Sequence, residues 1–143
     1  MKSRLFIMAA AIVAALSLTS CAKVVWVPDF VLEVDYKELA LPANIADNPG
    51  DYYTNEIQVW SVGSWEADLT IEGDAVWCGF EVNNNNKPTG THIKGHGSEE
   101  NYVQYIPLHF LVNGAQEPRY ASIRFYRTDM DVERVMRVKQ NGR

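Results

Sequence analysis

The sequence predicts an all-β fold: an antiparallel two-sheet β-sandwich of seven or eight short strands. Three observations carry this. Short apolar segments alternate with polar residues at period two, as half-buried strands do. Turn clusters rich in Gly, Asn, Asp and Pro separate these segments at short, fairly regular intervals. Aromatic residues reach 11%, with four Trp and seven Tyr, a composition that suits strands. A closed barrel is the alternative arrangement.

The elements follow in chain order. Trp26 to Val34 is apolar and β-branched, with Pro28 suited to an edge. Leu39 to Leu41 follows and stops at Pro42. Ala46 to Asp51 is a turn cluster, Ala-Asp-Asn-Pro-Gly-Asp. Ile57, Val59 and Ser61 then alternate with Gln58, Trp60 and Val62. After Gly63-Ser64, Trp65, Ala67 and Leu69 alternate with Glu66, Asp68 and Thr70. Val76 to Val82 reads as one strand, ended by Asn83 to Asn86. Lys87 to Asn101, rich in Gly, Asn, Ser and Thr, reads as an extended loop. From Tyr102 to Val112 one side carries Gln104, Ile106, Leu108 and Phe110. Arg119 to Arg127 alternates Ala121, Ile123 and Phe125 with Tyr120, Ser122, Arg124 and Tyr126. Val132 to Gln140 closes the set, with Met136 and Val138 on one face. The expected core is Ile57, Val59, Trp65, Leu69, Phe80, Ile106, Leu108, Phe110, Ile123, Phe125 and Val138.

The first segment stands apart. Lys2 and Arg4 precede twelve apolar residues, Leu5 to Leu16. That run is too short for a bilayer core, which needs about 20 residues, and its flanks read as a secretory signal. It ends in Leu18-Thr19-Ser20-Cys21, a lipobox with small residues at the cut. Residues 1–20 are therefore expected to be removed and Cys21 to carry the lipid. Residues 21–30 then form an anchored linker and 31–143 the folded domain. A lipidated Cys21 implies a membrane-bound protein of the bacterial cell envelope, at the outer membrane. Ala22-Lys23-Val24-Val25 lacks an acidic run resembling a surface-export signal, which leans towards the periplasmic side; the side itself stays open.

Ser64-Trp65-Glu66-Ala67, Val76-Trp77-Cys78-Gly79-Phe80, Arg119-Tyr120-Ala121-Ser122-Ile123-Arg124-Phe125 and Val138-Lys139-Gln140-Asn141-Gly142 form an ordered set. Together they resemble the Trp strands, the "R-x-g/a-t-i-x-v" strand and the closing "v-x-Q-x-G" of the BACON domain, over most of 32–142. The resemblance implies an immunoglobulin-like sandwich, found in Bacteroidetes, and a carbohydrate-associated role.

Chemistry is sparse. With Cys21 lipidated, Cys78 has no bridge partner and reads as a small buried hydrophobe rather than a reactive thiol. His92 and His96 sit four apart, but Gly90, Gly95 and Gly97 argue against the helix that would converge them on a metal. His109 reads as a solvent-facing strand residue. Asp47, Asn48 and Asp51 are explained by a turn better than by calcium. Asp129 and Asp131 flank a turn, and nucleophile and phosphate-loop patterns are missing. No metal or cofactor is expected, and no catalysis. The formal net charge of -5 disfavours nucleic acid. Charge is uneven, however: 118–143 holds seven basic and three acidic residues. Pairing with acidic neighbouring strands accounts for this basic hairpin, and a face for an anionic partner is the functional reading.

The expected function is a non-catalytic binding or spacer module, glycan-associated as the resemblance implies. The alternative is an assembly lipoprotein that binds another envelope protein through a sheet edge or the basic hairpin. The candidate ligand-binding residues are Trp60, Tyr120, Arg124 and Tyr126, which face away from the core if Ile57, Val59, Ile123 and Phe125 face into it. Sugar rings pack their C–H faces on aromatic planes, and arginine donates to hydroxyls and carboxylates. A loop over 43–54 that buries Trp60 would remove it from such a surface.

Overall fold

The computed structural model describes residues 31–43 and 51–143. Lipidation at Cys21, the start of the first predicted strand, and Asp47 and Asn48 lie outside the described residues. Among the described residues there is no helix and there are eleven strands. They are β1 (Glu33–Val34), β2 (Glu38–Leu41), β3 (Tyr52–Trp60), β4 (Gly63–Ile71), β5 (Cys78–Gly79) and β6 (Glu81–Val82), followed by β7 (Pro88–Thr89), β8 (His92–Gly97), β9 (Val103–Leu111), β10 (Arg119–Tyr126) and β11 (Glu133–Gln140). Four of these are two residues long, so the seven longer ones approach the expected number.

Two larger sheets share one core. The four-stranded sheet runs β1-β3-β9-β5, the five-stranded sheet runs β2-β11-β10-β4-β8, and β6-β7 is a small ribbon. Inward residues of β3 and β9 (Ile57, Val59, Ile106, Leu108, Phe110) meet those of β4, β10 and β11 (Trp65, Ala67, Leu69, Ile123, Phe125, Met136, Val138) in a single buried cluster. All eleven expected core residues are buried. The period-two alternation therefore assigned the inward faces of β3, β4, β9, β10 and β11 correctly.

Three features depart from the sequence reading. First, not every pairing is antiparallel: β2 lies parallel to β11, with Glu38 to Leu41 opposite Arg137 to Gln140. Second, Val76 to Val82 is not one strand. β5 joins β9 in the four-stranded sheet, while β6 pairs with β7. The break falls at Phe80, just after Gly79, where the backbone of Thr89 comes so close that a Cβ would lie 2.1 Å from its carbonyl oxygen. Third, Lys87 to Asn101 is not a loop, since it contains β7 and β8, and β8 pairs with β4 along six residues. Gly95 stands opposite Trp65, and a Cβ there would lie 2.4 Å from the indole. The glycine that weakens a strand in isolation makes room here for a core tryptophan.

Polar side chains close the two ends. Arg119 Nε donates to Gln140 Oε1 at 2.7 Å, and its Nη2 donates to the carbonyls of Leu111 and Val112. Gln140 is fully buried and donates to the carbonyls of Pro42 and Leu111. Buried amide groups satisfied in this way hold strand ends in register. At the opposite end of β10, Arg127 donates to the carbonyls of Val31 and Val62 and forms a two-point bond with Asp129.

Candidate functional site

β10 lies between β4 and β11, so its outward side chains sit mid-sheet rather than on an edge. Tyr120, Ser122, Arg124 and Tyr126 alternate outward because Ala121, Ile123 and Phe125 are buried. Across the register, Arg124 stands opposite Asp68 and Val135, and Tyr126 opposite Glu66 and Glu133. β8 extends the face, setting His92 beside Asp68, Lys94 beside Glu66 and His96 beside Ser64.

Two arginine–tyrosine stacks mark this surface. The Arg124 guanidinium lies 4.4 Å from the centre of the Tyr126 ring. The Arg137 guanidinium lies 4.5 Å from that of Tyr120. Arg124 Nε also donates to Glu133 Oε2 at 2.7 Å, and this bond raises the arginine's pKa further. Loss of solvent, and then Asp68 and Glu66, push the Tyr126 phenol upward.

His92 bridges two carboxylates, with Nδ1 2.7 Å from Asp68 Oδ1 and Nε2 3.3 Å from Glu66 Oε1. The hydrogen bond to Asp68 is the main cause of a raised His92 pKa, and the same bond lowers that of Asp68. His96 Nδ1 lies 2.9 Å from Ser64 Oγ. Ser64, Trp65, Glu66, Lys94, Gly95, His96 and Thr128 line a shallow depression of about 400 Å³. Donors and acceptors therefore lie on the same face as the Arg124–Tyr126 stack. Sequence reasoning missed Glu66, Lys94 and His96 as parts of this face. The alternation of His92, Lys94 and His96 was the available signal, hidden by the glycines between and after them.

The four candidate ligand-binding residues do not form one patch. Tyr120, Arg124 and Tyr126 share β10, whereas Trp60 ends β3 in the other sheet. The residues preceding and following Trp60, Val59 and Ser61, are fully buried, which turns Trp60 to the outer side of the four-stranded sheet. There it is half-buried, with Glu33 and Val103 as register partners.

The other candidates have structural surroundings. Cys78 is a buried free thiol opposite Phe110, and burial pushes its pKa up to about 12, which keeps it protonated and unreactive. His92 and His96 project from one strand about 13 Å apart, too far to share an ion. Among the described residues no three His, Cys, Asp or Glu side chains converge as metal ligands. Asp129 is bound by Arg127. His109 is part-buried, with Nδ1 2.8 Å from Thr54 Oγ1, and burial lowers its pKa. Two of the hairpin's seven basic residues pair within it, Arg124 with Glu133 and Arg127 with Asp129, while Arg134 reaches Glu33 of β1. No helix among the described residues is long and apolar enough to cross a membrane.

No protein-family model matches the sequence, and no curated protein is similar to it. Solved structures are similar in fold. Part of a Bacteroides ovatus GH5 xyloglucanase, solved with a XXXG heptasaccharide, superposes with a TM-score of 0.50 at 18% identity. The match covers 78% of this chain and 19% of that one. A family 123 glycoside hydrolase from Clostridium perfringens gives a TM-score of 0.45 at 9% identity, covering 80% and 27%. This chain thus spans about a fifth and about a quarter of those two proteins.

Proposed function

We propose that this chain is a non-catalytic, lipid-anchored module of the bacterial cell envelope that binds acidic glycan. In this reading its two sheets form an immunoglobulin-like sandwich, and the binding surface is the outward face of β10 and its neighbours. The observation that carries the reading is the pair of arginine–tyrosine stacks on that face. A stacked guanidinium is held flat, so less conformational freedom is lost when its remaining N–H groups bond a carboxylate or sulfate. The tyrosine beside it offers a plane for a sugar ring. The xyloglucanase likeness supports a glycan setting, since one portion of a carbohydrate-processing enzyme shares this fold.

Titration of the protein with oligogalacturonate tests this. Binding that weakens about tenfold (~1.4 kcal/mol) in both Arg137→Ala and Tyr120→Ala is the expected result. Unchanged affinity in both variants would sink it. A second reading rests on β8, which leaves one edge of the five-stranded sheet without a further strand among the described residues. Strand addition there would make the chain an assembly lipoprotein for another envelope protein. Loss of a captured envelope partner on His92→Pro, with glycan binding absent throughout, would favour it.

A further inference from the structure

The outward face of the four-stranded sheet has a different chemistry. The register of β3 on β9 sets Tyr52 opposite Leu111, Thr54 opposite His109, Glu56 opposite Pro107, Gln58 opposite Tyr105 and Trp60 opposite Val103. Trp60 and Tyr105 are therefore diagonal neighbours, close enough for large rings to share one surface. Tyr105 is 59% exposed and Tyr52 39%. No Lys or Arg occurs in β3 or β9. The strip from Tyr52 to Trp60 is about 27 Å long at the rise of an antiparallel strand.

One end of this strip is concave. Asp51, Tyr52, Tyr53 and Asn86 line a depression of about 300 Å³. Both of its sides are fixed. The Tyr52 ring meets His109 edge-on, with centroids 5.6 Å apart, and His109 is itself bonded to Thr54. Asn86 adopts φ 57° in a turn where Asn83 Oδ1 accepts the backbone N–H groups of Asn85 and Lys87. The depression thus brings together an aromatic ring, a carboxylate acceptor and a side-chain amide, with no Lys or Arg among its described lining residues.

We propose that the β3–β9 face is a second glycan site, specific for uncharged chains, in which a terminal sugar sits between Tyr52, Asp51 and Asn86. The chain then runs over Tyr105 to Trp60. The Asp51 carboxylate accepts from sugar hydroxyls, Asn86 both donates and accepts, and the rings stack on C–H faces. Asp51 and Glu56, with no cation on either strand, repel acidic chains. This rests on the glycan reading above but assigns the opposite face and a different charge class of ligand.

The test is titration of the full chain with cellohexaose, mannohexaose and xylohexaose, each followed by tryptophan fluorescence. Oligogalacturonate and tetramethylammonium serve as comparison probes. The expected result is saturable binding of at least one neutral hexasaccharide, weakened about tenfold or more by Tyr52→Ala and by Tyr105→Ala and unchanged by Arg137→Ala. Both tyrosines are solvent-exposed, so the variants fold, and unchanged circular dichroism verifies it. Neutral binding that survives both tyrosine changes overturns the site. Absence of neutral binding while oligogalacturonate still binds overturns the second site alone, and failure of every sugar overturns both readings. Tetramethylammonium binding that depends on Tyr52, without sugar binding, identifies a cation pocket instead and also overturns the proposal.

Discussion

Trp65 shows how one side chain joins the layers. Its ring packs against Phe125 at 6.2 Å, its indole N–H donates to Gln104 Oε1, and it fills the space that Gly95 leaves. Trp65→Ala is expected to cost about 3–5 kcal/mol in urea unfolding, the range of large-to-small core changes. Gly95→Ala is expected to cost about 1–3 kcal/mol, because the new methyl group collides with the ring. The double variant should lose less than the sum of the two, since removing the ring removes the collision; strict additivity would contradict the packing described. Trp65 was legible in the sequence because its neighbours alternate cleanly. Its dependence on Gly95 was not, because 30 residues separate them and only the register of β4 on β8 brings them together.

At the level of elements, alternation identified the inward faces of β3, β4, β9, β10 and β11 but could not supply the pairing. β8 was invisible because glycine and polar residues mask its period, and Trp60 was grouped with β10 because register between distant strands leaves no local trace. β8 also carries a pH dependence. The raised His92 pKa contributes stability that is present below the ordinary histidine value of about 6.5 and is lost as pH rises through the raised value. The lowered Asp68 pKa contributes stability that is present above the ordinary carboxylate value of about 4 and is lost as pH falls through the lowered value. The pair is therefore strongest at roughly pH 4–6.5. An NMR titration should place the His92 midpoint above that of an unperturbed imidazole, and Asp68→Asn should bring it down. A His92 midpoint that ignores Asp68→Asn would disprove the coupling. Amide exchange in β8, corrected for intrinsic rates, should be slower at pH 5.5 than at pH 8.

At the scale of the whole molecule, the two outward faces differ in charge, and the lipid reading sets where they would work. Cys21→Ser should move the protein from the membrane pellet to the soluble fraction, because twelve apolar residues cannot span a bilayer. Retention in the pellet after signal cleavage would refute the lipid anchor. Cys78, in contrast, should react with a thiol reagent only on unfolding, as its burial requires. The parallel pairing of β2 with β11 has a mechanical consequence. Tension applied on the two sides of the domain pulls β2 by its leading end and β11 by its trailing end. The strands run the same way, so the force lies along them, and the rungs from Glu38–Arg137 to Leu41–Gln140 are loaded together in shear rather than opened one by one. Once the two rungs of β1 on β3 have given way, this short parallel pair becomes the clamp that sets how much pull the domain withstands.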